Sequence, residues 1–216
     1  MLEILAGTLV GLLLTMTCVL YITAPRPRPL HLREKAFMDA TSGSPQKLPS
    51  IDSRAEVSLS VVVPAFNEAR RLPEMLSDAV EVLERRRKGK TRSTGADGGS
   101  DFTYEILVVD DGSNDSTSDF ALAFGRVNPK VNLRVLRLDP NRGKGGAVTH
   151  GILSSRGERI LFADADGATR FDDVVSLLAS LADIESDGDG VAIGSRAHLV
   201  STAAVVRVCV IYIVII

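Results

Sequence analysis

The chain has 216 residues, 45% of them hydrophobic, a formal net charge of -2 and two cysteines. That length suits one domain plus an appendage, with apolar residues enough for a core. The mixed, nearly balanced charge excludes a general pull toward nucleic acid. Cys18 and Cys209 lie in apolar segments near opposite ends with no CxxC pair, which excludes a disulfide framework and thiolate metal chemistry.

In chain order, the first element is an apolar run. Ile4 to Ala24 is 21 residues without a charge, long enough to span a bilayer core as a helix. Only Glu3 precedes it, whereas Arg26, Arg28, Arg33 and Lys35 follow, so the positive-inside rule places the remainder in the cytosol. A cleaved signal peptide would need a basic start and a shorter apolar stretch. Residues 1–25 are therefore expected to be an uncleaved anchor. Residues 26–56, rich in Pro, Ser and charge, read as a linker.

From residue 57 the pattern alternates. "VSLSVVVPAF" reads as a buried strand, followed by Leu72, Met75, Leu76, Ala79, Val80 and Leu83 at helical spacing. A charged, Gly-rich insertion covers 85–101, and its basic run from Arg85 to Arg92 suits either a solvated helix end or anionic membrane lipid. "YEILVVDDGS" is a second strand. Ser116 and Asp119 have capping-box spacing before a short helix with Phe120, Ala123 and Phe124 on its apolar face. "VNLRVLRL" is a third strand, "GGAVTHGILSSR" a third helix and "RILFADAD" a fourth strand. A helix with Phe171, Val174, Val175, Leu178 and Leu181 on one face follows, then "GVAIGSR" as a fifth strand.

Such alternation predicts an α/β fold, a Rossmann-like, mainly parallel sheet with flanking helices over 57–198. Ligands of these sheets lie beyond the carboxyl ends of the strands. The polar clusters fall there: Asn67-Glu68, Asp110-Asp111, Asn141 to Gly146, Asp164 to Asp166, and Ser195-Arg196.

The clusters limit the chemistry. "GKGGAV" lacks the third glycine of a dinucleotide fingerprint, and Lys144 is followed by Gly145 where a P-loop needs Ser or Thr. The turn reads either as a tight strand-to-helix connection or as a phosphate approach, with Lys144 adding charge to a helix N-terminus. Asp164 and Asp166, two residues apart on an extended segment, face the same way while Ala165 points aside. Bare carboxylates so placed repel one another; Mg2+ or Mn2+ would relieve that and neutralise a departing diphosphate. Capping of the next helix by Asp166 is the plainer alternative. Asp110 suits either a base N–H or ribose hydroxyl, or an Asx-type turn and helix start with Gly112 and Ser113. Phe66 suits a base or the core, and Arg196 suits a phosphate or the open surface.

"VVVPAFNEA", "ILVVDDGSNDST", "NRGKGGA", "FADADG" and "IGSR", in this order, resemble the GT-A glycosyltransferases of family 2, in particular membrane-anchored members that act on dolichyl phosphate. The resemblance covers about residues 1–198. It implies a cytosolic domain at the endoplasmic reticulum membrane that transfers glucose from UDP-glucose to dolichyl phosphate with inversion, for protein N-glycosylation. It also implies that Pro64, Phe66, Glu68 and Asp110 line the nucleoside and that Asp164 and Asp166 hold sugar, diphosphate and metal. Arg196 would contact the donor side, with Asp111, Lys144 and Ala165 completing the donor-binding set. A mannosyl branch using GDP-mannose is the runner-up. After Arg196 the resemblance stops: an acceptor-side "DTQCGF"-like segment is expected and does not follow. The tail 199–216 reads as an added strand, a membrane-lying segment or, preferred, the end of a truncated product, which would then bind nucleotide at most.

Overall fold

The computed structural model describes residues 11–19, 31–89, 102–168, 170–184, 190–194 and 212–215. It divides into two units, Met1–Leu30 and His31–Ile216. In the first, residues 11–19 are helical. The Thr15 and Thr17 hydroxyls donate to carbonyls three and four residues back, so neither polar group is left unpaired on an apolar helix. Among the described residues no helix is long and apolar enough to cross a membrane. The rest of the expected anchor lies outside them.

The second unit is an α/β sheet. A 3-10 turn, Leu32–Lys35, leads into β1 (Ala36–Asp39) and β2 (Pro45–Lys47). Then come β3 (Val57–Ala65), α1 (Leu72–Lys88), β4 (Tyr104–Asp110), α2 (Thr117–Val127), β5 (Asn132–Arg137), α3 (Gly143–Leu153) and β6 (Gly157–Phe162). The last elements are α4 (Asp173–Ile184), β7 (Val191–Ile193) and β8 (Tyr212–Ile215). The strands lie in the order β2-β1-β5-β4-β3-β6-β8-β7. The central β5, β4, β3 and β6 are parallel. Their apolar, β-branched sequences fit burial from both faces. The flanking pairs are antiparallel.

The chain moves from β3 to β4 to β5 on one side, then crosses to β6 on the other side of β3. The strand order thus reverses between β3 and β6, where such sheets open a ligand crevice. One core cluster packs Leu72, Met75, Leu76, Ala79 and Leu83 of α1, Ala121 of α2 and Leu178 and Leu181 of α4 on one face of the sheet. A smaller one packs Ala147 and Ile152 of α3 with Leu48 and Ile51 on the other.

A buried polar network ties the other end of the parallel strands. The Glu105 carboxylate on β4 accepts from Ser60 Oγ on β3 at 2.6 Å and from Arg134 Nη2 on β5 at 2.7 Å. It also accepts from the Arg156 N–H at 2.9 Å and Nε at 2.8 Å, just before β6, whose first N–H reaches Ser60 Oγ at 2.8 Å. Burial raises the Glu105 pKa, but the Arg134 charge, the Ser60 hydroxyl and Arg156 outweigh it and hold the carboxyl below its ordinary value.

Four expectations change. Residues 36–47 are not linker: β1 pairs with β5, and Phe37 and Ala40 are buried. Pro, Ser and charge in the surrounding stretch mask this short run. On α2 the Ser116 side chain makes no cap bond; Asp115 instead accepts from Thr117 N–H, and Phe120 is exposed while Ala121, Leu122 and Gly125 face the core. On α4, Leu177 is buried and Val175 exposed. Among the described residues β7 pairs only with β8, antiparallel, so the fifth predicted strand stands apart from the parallel core. Within the tail, the added strand is what is found for Tyr212–Ile215.

Candidate functional site

Beyond the carboxyl ends of β3, β4 and β6 lies an open cavity of about 390 Å³. Four segments build it. Pro64, Ala65, Phe66 and Glu68 come from the end of β3, Asp164, Ala165 and Asp166 from the end of β6, and Asp111, Asn141, Gly143, Lys144 and Ala147 from the β4 and β5 loops and the start of α3. Eight of the ten sequence-predicted residues therefore meet: Pro64, Phe66, Glu68, Asp111, Lys144, Asp164, Ala165 and Asp166. Asp110 does not line the cavity, and Arg196 lies outside the described residues.

The loops after β3 and β4 brace each other. Asn67 takes a left-handed conformation, φ 57°, which asparagine tolerates better than most residues. Its N–H donates to Ser113 Oγ at 2.9 Å, and its side-chain oxygen accepts from Asn114 N–H at 3.0 Å. The Glu68 and Ala69 N–H groups reach Thr117 Oγ1 at 2.9 Å and Asp115 Oδ2 at 3.2 Å. Much of "FNEA" and "GSNDST" is therefore spent on holding the two loops together. Asp110 belongs to this brace rather than to the nucleoside face. It is 3% exposed, accepts from Ser113 N–H at 2.9 Å and from the Ser118 hydroxyl, and lies 3.8 Å from Arg137. Gly112, at φ +72°, passes so close that a Cβ would sit 3.1 Å from the Asn141 nitrogen.

Asp111 is the carboxylate turned to the cavity. It is buried beside Asp110 and accepts from Arg142 N–H at 2.7 Å. Burial, aided by the Asp110 charge, pushes its pKa up, against the N–H bonds from Arg142 and Gly143. Asn141, missing from the sequence-derived set, holds the same corner. Its Nδ2 donates to the Asp111 carbonyl at 2.8 Å and its Oδ1 accepts from Gly143 N–H at 3.0 Å. Asparagine just before a glycine-rich turn was the available signal.

On the β6 side, Lys144 Nζ lies 2.7 Å from Asp164 Oδ1 and 5.4 Å from the centre of the Phe162 ring. Asp166 Oδ1 accepts from Ala168 N–H at 3.0 Å, so this carboxylate shapes its own turn and also lines the cavity. It does not cap the next helix, because α4 begins only at Asp173. Phe66 is 45% exposed at the rim, which removes the core reading for it. Among the described residues no donor meets Glu68 Oε2, which is buried, an acceptor open to a hydroxyl or N–H.

Among the described residues no three His, Cys, Asp or Glu side chains form a metal cluster. The carboxylates of Asp164 and Asp166, which both line the cavity, instead suit a hard divalent cation that takes one or two carboxylates and completes its shell with phosphate and water. Asp164 is paired with the Lys144 ammonium, which is 62% exposed and has room to leave it. The basic run near the end of α1 is partly consumed by ion pairs: Arg85 with Asp172 at 2.9 Å and Arg87 with Glu84 at 2.7 Å, while Arg86 stacks over Phe102 at 5.0 Å.

A family model described as glycosyl transferase family 2 matches residues 60–199. The chain is 46% identical over 191 residues to a Mus musculus dolichyl-phosphate beta-glucosyltransferase, covering 87% of this chain and 56% of that protein. It is 43% identical over 192 residues to the Drosophila melanogaster protein of the same name, covering 88% and 56%. The Saccharomyces cerevisiae counterpart is 35% identical over 215 residues, covering 92% and 60%. The chain thus spans little more than half the length of these relatives. Among solved structures, a Pyrobaculum calidifontis mannosyltransferase in complex with GDP-Man and Mn2+ aligns with TM-score 0.48 and 22% identity, over 66% of this chain and 36% of that one.

Proposed function

The chain belongs to glycosyl transferase family 2, and on that premise we propose that its cavity binds UDP-glucose with Mg2+ or Mn2+ for glucose transfer to dolichyl phosphate, giving dolichyl beta-D-glucosyl phosphate. The observation that carries this reading is the meeting of Asp111, Lys144, Asp164 and Asp166 in one cavity where the strand order reverses. The names of the three relatives support the acceptor and the sugar.

Each residue then has a task. Phe66 packs against the base, and Glu68 Oε2 and Asp111 accept from base N–H or ribose hydroxyls. Asp164 and Asp166 would hold the cation, which supplies neutralisation of the diphosphate leaving group. Lys144, at the first turn of α3, leaves Asp164 for the diphosphate, where the helix N-terminus adds its own attraction for anions. A phosphate acceptor is already largely anionic at neutral pH, since its second pKa lies near ~6. It needs less help from a general base than a sugar hydroxyl, so orientation and charge stabilisation carry most of the task. The uncharged N-terminal run followed by basic residues supports a single-pass anchor in the endoplasmic reticulum membrane, with the sheet domain on the cytosolic side, next to a lipid-borne acceptor.

The test is a transfer assay on the full chain in detergent, with radiolabelled UDP-glucose, Mg2+ or Mn2+ and a short polyprenyl phosphate. A lipid-extractable glucosyl product is expected. Preference for GDP-mannose would move the reading to mannosyl transfer. UDP binding without transfer would restrict these residues to holding the donor.

A further inference from the structure

Glu34 lies in the stretch that composition marks as linker, yet it is fully buried. A carboxylate leaves water at that depth only when its oxygens are met by donors. Four meet it. The His31 N–H lies at 2.6 Å and the Asp139 N–H at 3.1 Å. Arg142 adds Nε to Oε1 and Nη2 to Oε2, each at 2.7 Å. This is the bidentate fork that fixes a guanidinium in orientation as well as position. Three of the donors, from Asp139 and Arg142, come from the loop between β5 and α3, more than a hundred residues further along the chain.

That loop forms one side of the cavity. Arg142 immediately precedes α3, its side chain is 8% exposed, and its own N–H is the donor at 2.7 Å to Asp111 Oδ1. The next two residues, Gly143 and Lys144, line the cavity. Gly146 makes room for the arrangement: a Cβ there would stand 2.7 Å from the Arg142 Cβ. The third glycine of the "GKGGA" turn is thus required by the arginine that folds back to Glu34, not by a phosphate.

We propose that Glu34 is a positioning residue of the donor site, acting through the Arg142 fork to set the Arg142 N–H on Asp111 and to fix the first turn of α3 that carries Lys144. The inference rests on the reading of this cavity as a nucleoside diphosphate site. It makes the segment leading into β1 part of the binding apparatus. The donor site is complete only when the 3-10 turn is docked, so residues just downstream of the apolar N-terminal run bear on how the nucleotide is held.

The test uses the full chain and calorimetric titration with UDP and Mn2+, run well below each variant's melting temperature. Glu34→Gln removes the charge and one acceptor of the fork. Arg142→Lys keeps the charge and loses the fork. Leu83→Ala, three turns along α1 from the cavity, lowers stability without touching the loop. Roughly tenfold weaker UDP binding is expected for Glu34→Gln, with a smaller loss for Arg142→Lys, as for other groups that orient a ligand-contacting residue. Leu83→Ala is expected to bind within about twofold of the parent, and this separates positioning from lost stability. If Glu34→Gln does not fold, Arg142→Lys decides. UDP binding by the parent, with both loop variants within about twofold of it or with Leu83→Ala equally weakened, overturns the role of Glu34 alone. No UDP binding by the parent overturns the donor-site reading, and this inference falls with it.

Discussion

Glu105→Gln is expected to be the most damaging conservative change in the sheet. Its carboxylate takes donors from all of β3, β4's neighbour β5, and the start of β6, and it is fully buried. Arg134 is 1% exposed, and among the described residues its Nε and Nη1 already have no acceptor. The amide keeps one acceptor oxygen but no charge, so the buried guanidinium is left with that oxygen and the Ser154 carbonyl at 3.1 Å, while the Phe37 ring 4.5 Å away adds a weaker attraction. The new amide also aims a donor at groups that donate. Removing one partner of a buried pair typically costs about 3–5 kcal/mol. For a unit of this size that corresponds to a fall in Tm of about 6–20 °C. The assay is urea and thermal unfolding followed by far-UV circular dichroism. Glu105→Leu with Arg134→Met removes both charges, and Arg156 keeps Glu56 at 3.1 Å, so the pair should recover at least half of the loss. A single variant within about 1 kcal/mol of the parent, or a double variant no more stable than the single, would refute the reasoning. The site would feel the same change, because the strands held here at one end carry the cavity at the other.

Three further outcomes follow from the geometry. Lys144→Met removes an ion pair whose lysine is 62% exposed, so unfolding free energy should move by less than about 0.5 kcal/mol while UDP affinity drops several-fold, read by paired unfolding and calorimetry. Gly112→Ala forces a side chain into φ +72° and against Asn141, and should cost about 1–3 kcal/mol in urea unfolding together with weaker UDP binding. Acid should destabilise the fold through Glu34. Burial raises its pKa, but Arg142 and the His31 and Asp139 N–H groups bring it from 4.5 down to about 2. A lowered folded pKa stabilises above the unfolded value and is lost as pH falls, so about 3 kcal/mol should disappear between pH 4.5 and 2, and Glu34→Gln should flatten that limb of the stability profile.

The parallel core was legible because its signals are long and periodic. β3 and β4 are near-continuous apolar runs, and Leu72, Met75, Leu76, Ala79 and Leu83 mark the α1 face, all of them buried. Most of the cavity lining was legible because polar residues cluster just past the carboxyl ends of the parallel strands, where such sheets open a crevice. What escaped was short or depended on distant partners. β1 has four residues, and its pairing with β5 is decided a hundred residues downstream. Glu34 looks like any charged residue until Arg142 is beside it. On α2 the capping-box spacing lost to Asp115, which reaches Thr117 while also bracing Ala69. Asp110 and Asp111 are adjacent in sequence and opposite in role. Strand alternation separates them, one turned into the brace and one to the cavity, but the residues alone do not say which is which.

The central claim is that this cavity holds a nucleoside diphosphate together with a divalent cation. Calorimetric titration of the full chain with UDP, with and without Mn2+, tests it most directly when Asp166→Asn is run beside the parent. Saturable binding that requires the cation and weakens by at least about tenfold in the variant is the expected result. No binding, or binding of equal strength without the cation and in the variant, would contradict the account.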